Sequence, residues 1–168
     1  GQVPCLEDGD FYLEESSAML QYLARAHDHA IVPKCPKQCA KVEKLYSRHG
    51  AASRRVTMEC LVPVLFKGAA VDSVIGTLKE VLKGVNDALT TKFSAGEELS
   101  LYDFLLAAEV DQAAWFQADI LADFPNVARF LKDFGEAVPA HADSQSKAKE
   151  IYDGLIAAKK EAPAEEKK

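Results

Sequence analysis

Val71, Val74, Ile75, Leu78, Val81, Leu82, Val85, Ala88 and Leu89 fall at successive three- and four-residue steps. That spacing writes an apolar stripe along one side of an α-helix for about five turns. Gly68 before it and Ser94-Ala95-Gly96 after it are its punctuation. A striped helix has to bury its apolar face against other elements, so this segment predicts a helical bundle.

The neighbouring segments supply the partners. A helix is expected from about Pro36 to Arg55, with Val42, Leu45, Tyr46 and His49 on its buried side. Apolar residues continue from Met58 to Phe66, where Pro63 predicts a kink. In Leu99-Ser100-Leu101-Tyr102-Asp103-Phe104, Ser100 stands at an N-cap and Asp103 can reach back to its amide. Leu99 and Phe104 bracket that box as a hydrophobic staple. The run from Leu101 to Trp115 is apolar nearly all round, which predicts the buried centre of the bundle. Phe124-Pro125-Asn126 is a break, with Asn126 as the next N-cap. A short helix through Val127, Phe130, Leu131 and Phe134 follows, then a loop at Val138-Pro139 and a last helix from about Ser144 to Ala158.

The first residues obey a different rule. Residues 2–6 and 11–14 are short extended runs around an Asp- and Gly-rich turn, a hairpin pattern. Glu15 and Ser16 then open a helix carrying Ala18, Met19, Tyr22, Leu23 and Ala26 on one side. Residues 28–36, with Pro33 and Pro36, read as a linker. The expected fold is mainly α: a hairpin-plus-helix unit over 1–27, a linker over 28–36, an all-helical domain over 37–158, and a charged, disordered tail over 159–168.

The formal net charge of −6 argues against nucleic acid or an anionic membrane as the main partner. No apolar run approaches the length of a membrane span, and no signal peptide is visible, so a cytoplasmic location is expected. Cys35 and Cys39 form one close cysteine pair, and His27, His29 and His49 do not complete a familiar ligand spacing around it. No metal is expected, and Cys5, Cys35, Cys39 and Cys60 read as free thiols.

Three places in the chain carry a family resemblance. The first is Gly1-Gln2-Val3-Pro4, a hairpin, then Leu13-Glu14-Glu15-Ser16-Ser17-Ala18-Met19 with Tyr22-Leu23; the second is Leu99 to Asp103; the third is Phe124-Pro125-Asn126-Val127. In that order they resemble the glutathione S-transferase family, from the third strand of its thioredoxin-like N-terminal domain through its C-terminal helical bundle. The resemblance implies a cis Val3–Pro4 peptide bond and a Val3 backbone that pairs with the cysteinyl part of glutathione like an added strand. It implies that Ser16 takes the γ-glutamyl carboxylate at a helix start and that Glu15 accepts from the ammonium. Gln2 borders the same surface, and Tyr102 and Trp115 are candidates for a hydrophobic co-substrate site. Read as residue types alone, Val3 and Pro4 also suit an edge strand and its terminator, Ser16 a plain N-cap, and Tyr102 and Trp115 core aromatics.

By the same resemblance, the Tyr, Ser or Cys that acts on the glutathione sulfur belongs to a strand–helix–strand unit ahead of Gly1, and no catalytic residue is assigned within 1–168. Two functions follow. One is conjugation of glutathione to electrophiles in a complete parent protein, as a homodimer in the family's manner. The other is a non-catalytic interaction module, as at the start of the elongation factor 1 gamma subunit or in aminoacyl-tRNA synthetase complexes. The Lys159–Lys168 tail resembles the linker that follows that domain in elongation factor 1 gamma.

Overall fold

The computed structural model describes residues 3–27 and 29–161, so Gln2 and the tail from 162 on lie outside it. Strands β1 (Cys5–Asp8) and β2 (Phe11–Glu14) pair antiparallel, with Cys5 opposite Glu14 and Asp8 opposite Phe11. The two residues between them include Gly9 at φ 63°, the positive backbone angle that two-residue hairpin turns demand. β1 starts later than the sequence predicts, leaving Val3–Pro4 ahead of the strand rather than inside it.

Helix α1 (Ser16–Ala26) lies against the hairpin and buries Met19 and Ala24. The Tyr22 hydroxyl donates to Asp8 Oδ2 at 2.5 Å, and its ring meets Phe11 at 5.2 Å. Leu23, expected on the buried side, is instead exposed. Helix α2 (Pro36–Arg48) stops seven residues short of the expected Arg55. A 3₁₀ turn (His49–Ala51) follows, and Ala52 at φ −118°, ψ −109° leaves helical geometry altogether. The chain re-enters as a π-helical turn (Val56–Leu61) that runs into α3 (Val62–Phe66). Pro63 falls in the first turn of α3, just where the π-helical turn runs into it.

Helix α4 (Val71–Ala88) follows its stripe, burying Val74, Leu78, Val81, Leu82 and Val85. Helix α5 (Leu101–Asp111) is the central element, and α6 (Ala113–Phe116) continues it after Gln112. Asp103 accepts from the Ser100 amide at 2.7 Å, the Ser100 hydroxyl at 2.8 Å and the Ser94 amide at 2.8 Å. After a 3₁₀ turn (Ile120–Asp123), α7 (Pro125–Ala137) begins at the proline itself. Asn126 is therefore inside the helix, not its N-cap. Its amide donates to Asn86 Oδ1 at 2.9 Å and its side chain to the Asn86 carbonyl at 2.9 Å, so the end of α4 caps α7 from across the bundle. Helix α8 (Ala140–Glu161) starts directly after Pro139, four residues before the expected Ser144.

Leu78, Leu82, Val110, Ile120, Phe130 and Phe134 form the dry centre, each at most 1% exposed. Tyr152 anchors α8 against Trp115 and Phe116, and Lys159 Nζ donates to the Val64 carbonyl at 2.7 Å. Among the described residues, no helix is long and apolar enough to cross a membrane.

Candidate functional site

The antiparallel register decides what the hairpin presents. With Cys5 opposite Glu14, the Val3–Pro4 peptide and the Glu15–Ser16 pair come to the same end of the hairpin, at the start of α1. The Val3–Pro4 bond is cis. Val3, Pro4, Glu15 and Ser16 are all exposed, Val3 at 94%. Glu15 stands at φ 70°, ψ 106°, a conformation that costs a non-glycine residue about 1–3 kcal/mol. Its carbonyl accepts the Met19 amide at 2.9 Å, while its side chain makes no capping bond. Helix α1 thus opens with its first-turn amides and two polar side chains turned to solvent, an arrangement suited to an anion beside an ammonium.

A second polar assembly lies in the seam between α5 and the segment joining α2 to α3. Glu109, 3% exposed, accepts from Arg54 Nη1 at 2.7 Å and from the Thr57 hydroxyl at 2.7 Å. Beside it the buried Ser53 hydroxyl contacts His49 Nδ1 at 3.0 Å and the Tyr102 hydroxyl at 3.2 Å. Burial lowers the pKa of His49, with Glu109 opposing and Arg54 assisting. Burial likewise raises the Tyr102 phenol, against the Ser53 hydrogen bond. The charged members of this seam, Arg54 and Glu109, pair with each other.

A model of the glutathione S-transferase C-terminal domain matches residues 26–136. The chain belongs to the glutathione S-transferase family. It is 32% identical over 154 residues to glutathione S-transferase theta-1 of Gallus gallus, covering 82% of this chain and 58% of that relative. It is 28% identical over 173 residues to glutathione S-transferase D7 of Drosophila melanogaster, covering 94% and 73%. A delta-class glutathione transferase of Nilaparvata lugens superposes with a TM-score of 0.81 at 25% identity, over 94% of this chain and 75% of that one. The chain therefore spans little more than half the length of the theta-1 relative.

Within this transferase fold the residues singled out in the sequence fall into separate places. Val3, Pro4, Glu15 and Ser16 gather at the hairpin end; Gln2 lies outside the described residues. Tyr102, 4% exposed, sits under a cavity between α2, α4 and α5, whereas Trp115 stacks on Tyr152 at 5.5 Å beside α8. They share no wall. All four cysteines are free; the Cys39 thiol donates to the Pro33 carbonyl, and burial pushes Cys60 up to about 11. Sequence reading overlooked the Glu109–Arg54–Thr57 cluster. Its signal was present: Glu109 is an acid inside a run apolar nearly all round, and a buried acid requires a partner.

Proposed function

We propose that this chain carries the γ-glutamyl half of a glutathione site together with the helical domain of a glutathione transferase. In this reading Ser16 and the first amides of α1 take the γ-glutamyl carboxylate, Glu15 accepts from the ammonium, and the exposed Val3 backbone pairs with the cysteinyl unit. Gln2 would border the ligand. Residues 1–27 would be the partial thioredoxin-like unit, 28–36 the linker and 37–158 the helical domain. The observation that carries it is Glu15: an exposed residue held at a positive φ, making no cap, at the hairpin end that also holds Val3. Backbone strain of this kind clusters at ligand sites.

No residue within 1–168 is matched to the family's thiol-activating position, so the function proposed for this chain is binding, and conjugation to electrophiles belongs to the complete parent. The Lys-, Glu-, Ala- and Pro-rich stretch from Lys159 favours one second reading, an interaction module of the elongation factor 1 gamma type. Calorimetric titration with glutathione tests the first. Saturable heat that Ser16→Ala and Glu15→Ala each weaken supports it; no heat at millimolar glutathione removes it and leaves the module.

A further inference from the structure

Helix α2 begins behind a cysteine. Cys35 occupies its N-cap with extended backbone, at φ −78°, ψ 125°, and its side chain is exposed. The Gln38 and Lys37 amides of the first turn hold the thiol below its ordinary range, with the Lys41 cation assisting. Among the other cysteines, Cys60 is buried and the Cys39 thiol is turned to the Pro33 carbonyl at 2.9 Å. Cys5 is also exposed, but it lies on β1 with no helix start behind it.

The Cys35 thiol stands at the mouth of a cavity of about 420 Å³. The 28–36 linker, the first turns of α2 and the loop ahead of α5 enclose it, and it shares no residue with the hairpin end. Ile31, Val42, Ala95 and Leu99 supply an apolar wall. Gln38 sets this cavity apart from an ordinary surface dent. Its side chain reaches to the far wall, where Nε2 stands 3.7 Å from the place a Cβ would take on Gly96. Its Oε1 is buried and accepts from no donor among the described residues. A buried acceptor left open is uncommon in a folded chain and marks a place for an outside donor. A sulfur nucleophile, an apolar space and an open acceptor thus meet in one cavity.

We infer that Cys35 is a covalent capture site for an activated alkene that carries an apolar tail and a hydrogen-bond donor beside its carbonyl. The Cys35 thiolate adds to the β-carbon and forms the C–S bond. The alkene's π pair moves onto the carbonyl as an enolate, and the α-carbon then takes a proton from water. The ligand's donor fills Gln38 Oε1 while its tail lies along Ile31, Val42 and Leu99. Neither an oxidant nor glutathione is consumed, so this capture stands apart from the half-site at the start of α1.

Peptide-resolved mass spectrometry of the whole chain treated with N-hexylacrylamide tests this, each rate being divided by that of free cysteine. Cys35 is expected to react about tenfold faster than Cys5. N-methylacrylamide, which keeps the donor without the tail, should react about tenfold more slowly at Cys35. N-hexyl-N-methylacrylamide, which keeps the tail without the donor, should lose about fivefold. Gln38→Leu should slow N-hexylacrylamide by about fivefold and leave N-hexyl-N-methylacrylamide unchanged. Three results overturn the inference: Cys5 reacting as fast as Cys35, N-methylacrylamide reacting as fast as the hexyl reagent, or Gln38→Leu slowing both hexyl reagents alike or neither.

Discussion

Two helices in this molecule open with the same chemistry, a serine and an acid, and put it to opposite uses. At the start of α5, Asp103 is wholly buried and its two oxygens accept three hydrogen bonds from Ser94 and Ser100. At the start of α1, Glu15 and Ser16 are exposed, the cap is unmade, and the backbone of Glu15 is strained. A closed helix start has spent its donors and acceptors on the fold. An open one holds them for something outside the chain. Helix N-termini therefore have to be judged by where their polar groups end, not by which residues they contain.

The comparison breaks most visibly at Asp103. Asp103→Ala strands two amides and a hydroxyl inside the bundle and should cost about 3 kcal/mol in urea unfolding, with Asp103→Asn recovering part of it. Next comes the other internally used acid. Arg54→Met leaves Glu109 buried without its cation and should lower stability by roughly 2 kcal/mol, less than for a fully buried pair because Arg54 is half exposed. The open start should respond in the reverse sense. Glu15→Gly relieves the positive φ and should raise stability by about 1 kcal/mol while weakening glutathione in calorimetry. Ser16→Ala should leave the melting temperature nearly unchanged and reduce glutathione affinity about fivefold.

The mildest test is acidity. Burial holds the pKa of His49 below its ordinary 6.5, so on acidification the unfolded chain takes up that proton first. Stability should be intact above about pH 6.5 and fall as the pH drops below it, and His49→Gln should flatten that slope in melts between about pH 7.5 and 5.5. Asp111, raised by burial against the pull of His141, works in the opposite sense, because the folded state takes its proton before the unfolded chain does.

The legible parts of the fold were those written in local periodicity. The α4 stripe, the Ser100–Asp103 box and the hairpin with its Gly9 turn each carry their whole signal within a few residues. What escaped was set by distant partners. Asn126 looks like an N-cap until Asn86, 40 residues earlier, is brought to its amide. The end of α2 is unreadable because Ser53 and Arg54 answer to Tyr102 and Glu109 on α5, and satisfying them outweighs continuing one straight helix. The hairpin end was legible by family resemblance to Val3, Pro4, Glu15 and Ser16, but the strain at Glu15 is a backbone property that no residue type announces.

The π-helical turn from Val56 to Leu61 closes each hydrogen-bonded loop with one residue more than an α-helix uses. Deleting one residue there should restore ordinary α-helical bonding while the flanking turns keep nearly the same angle about the axis. The extra residue is absorbed within the turn, so Arg54 ahead of it and α3 after it should keep their places against Glu109 and α8. The turn thus stores one residue of chain length that the packing on either side does not register.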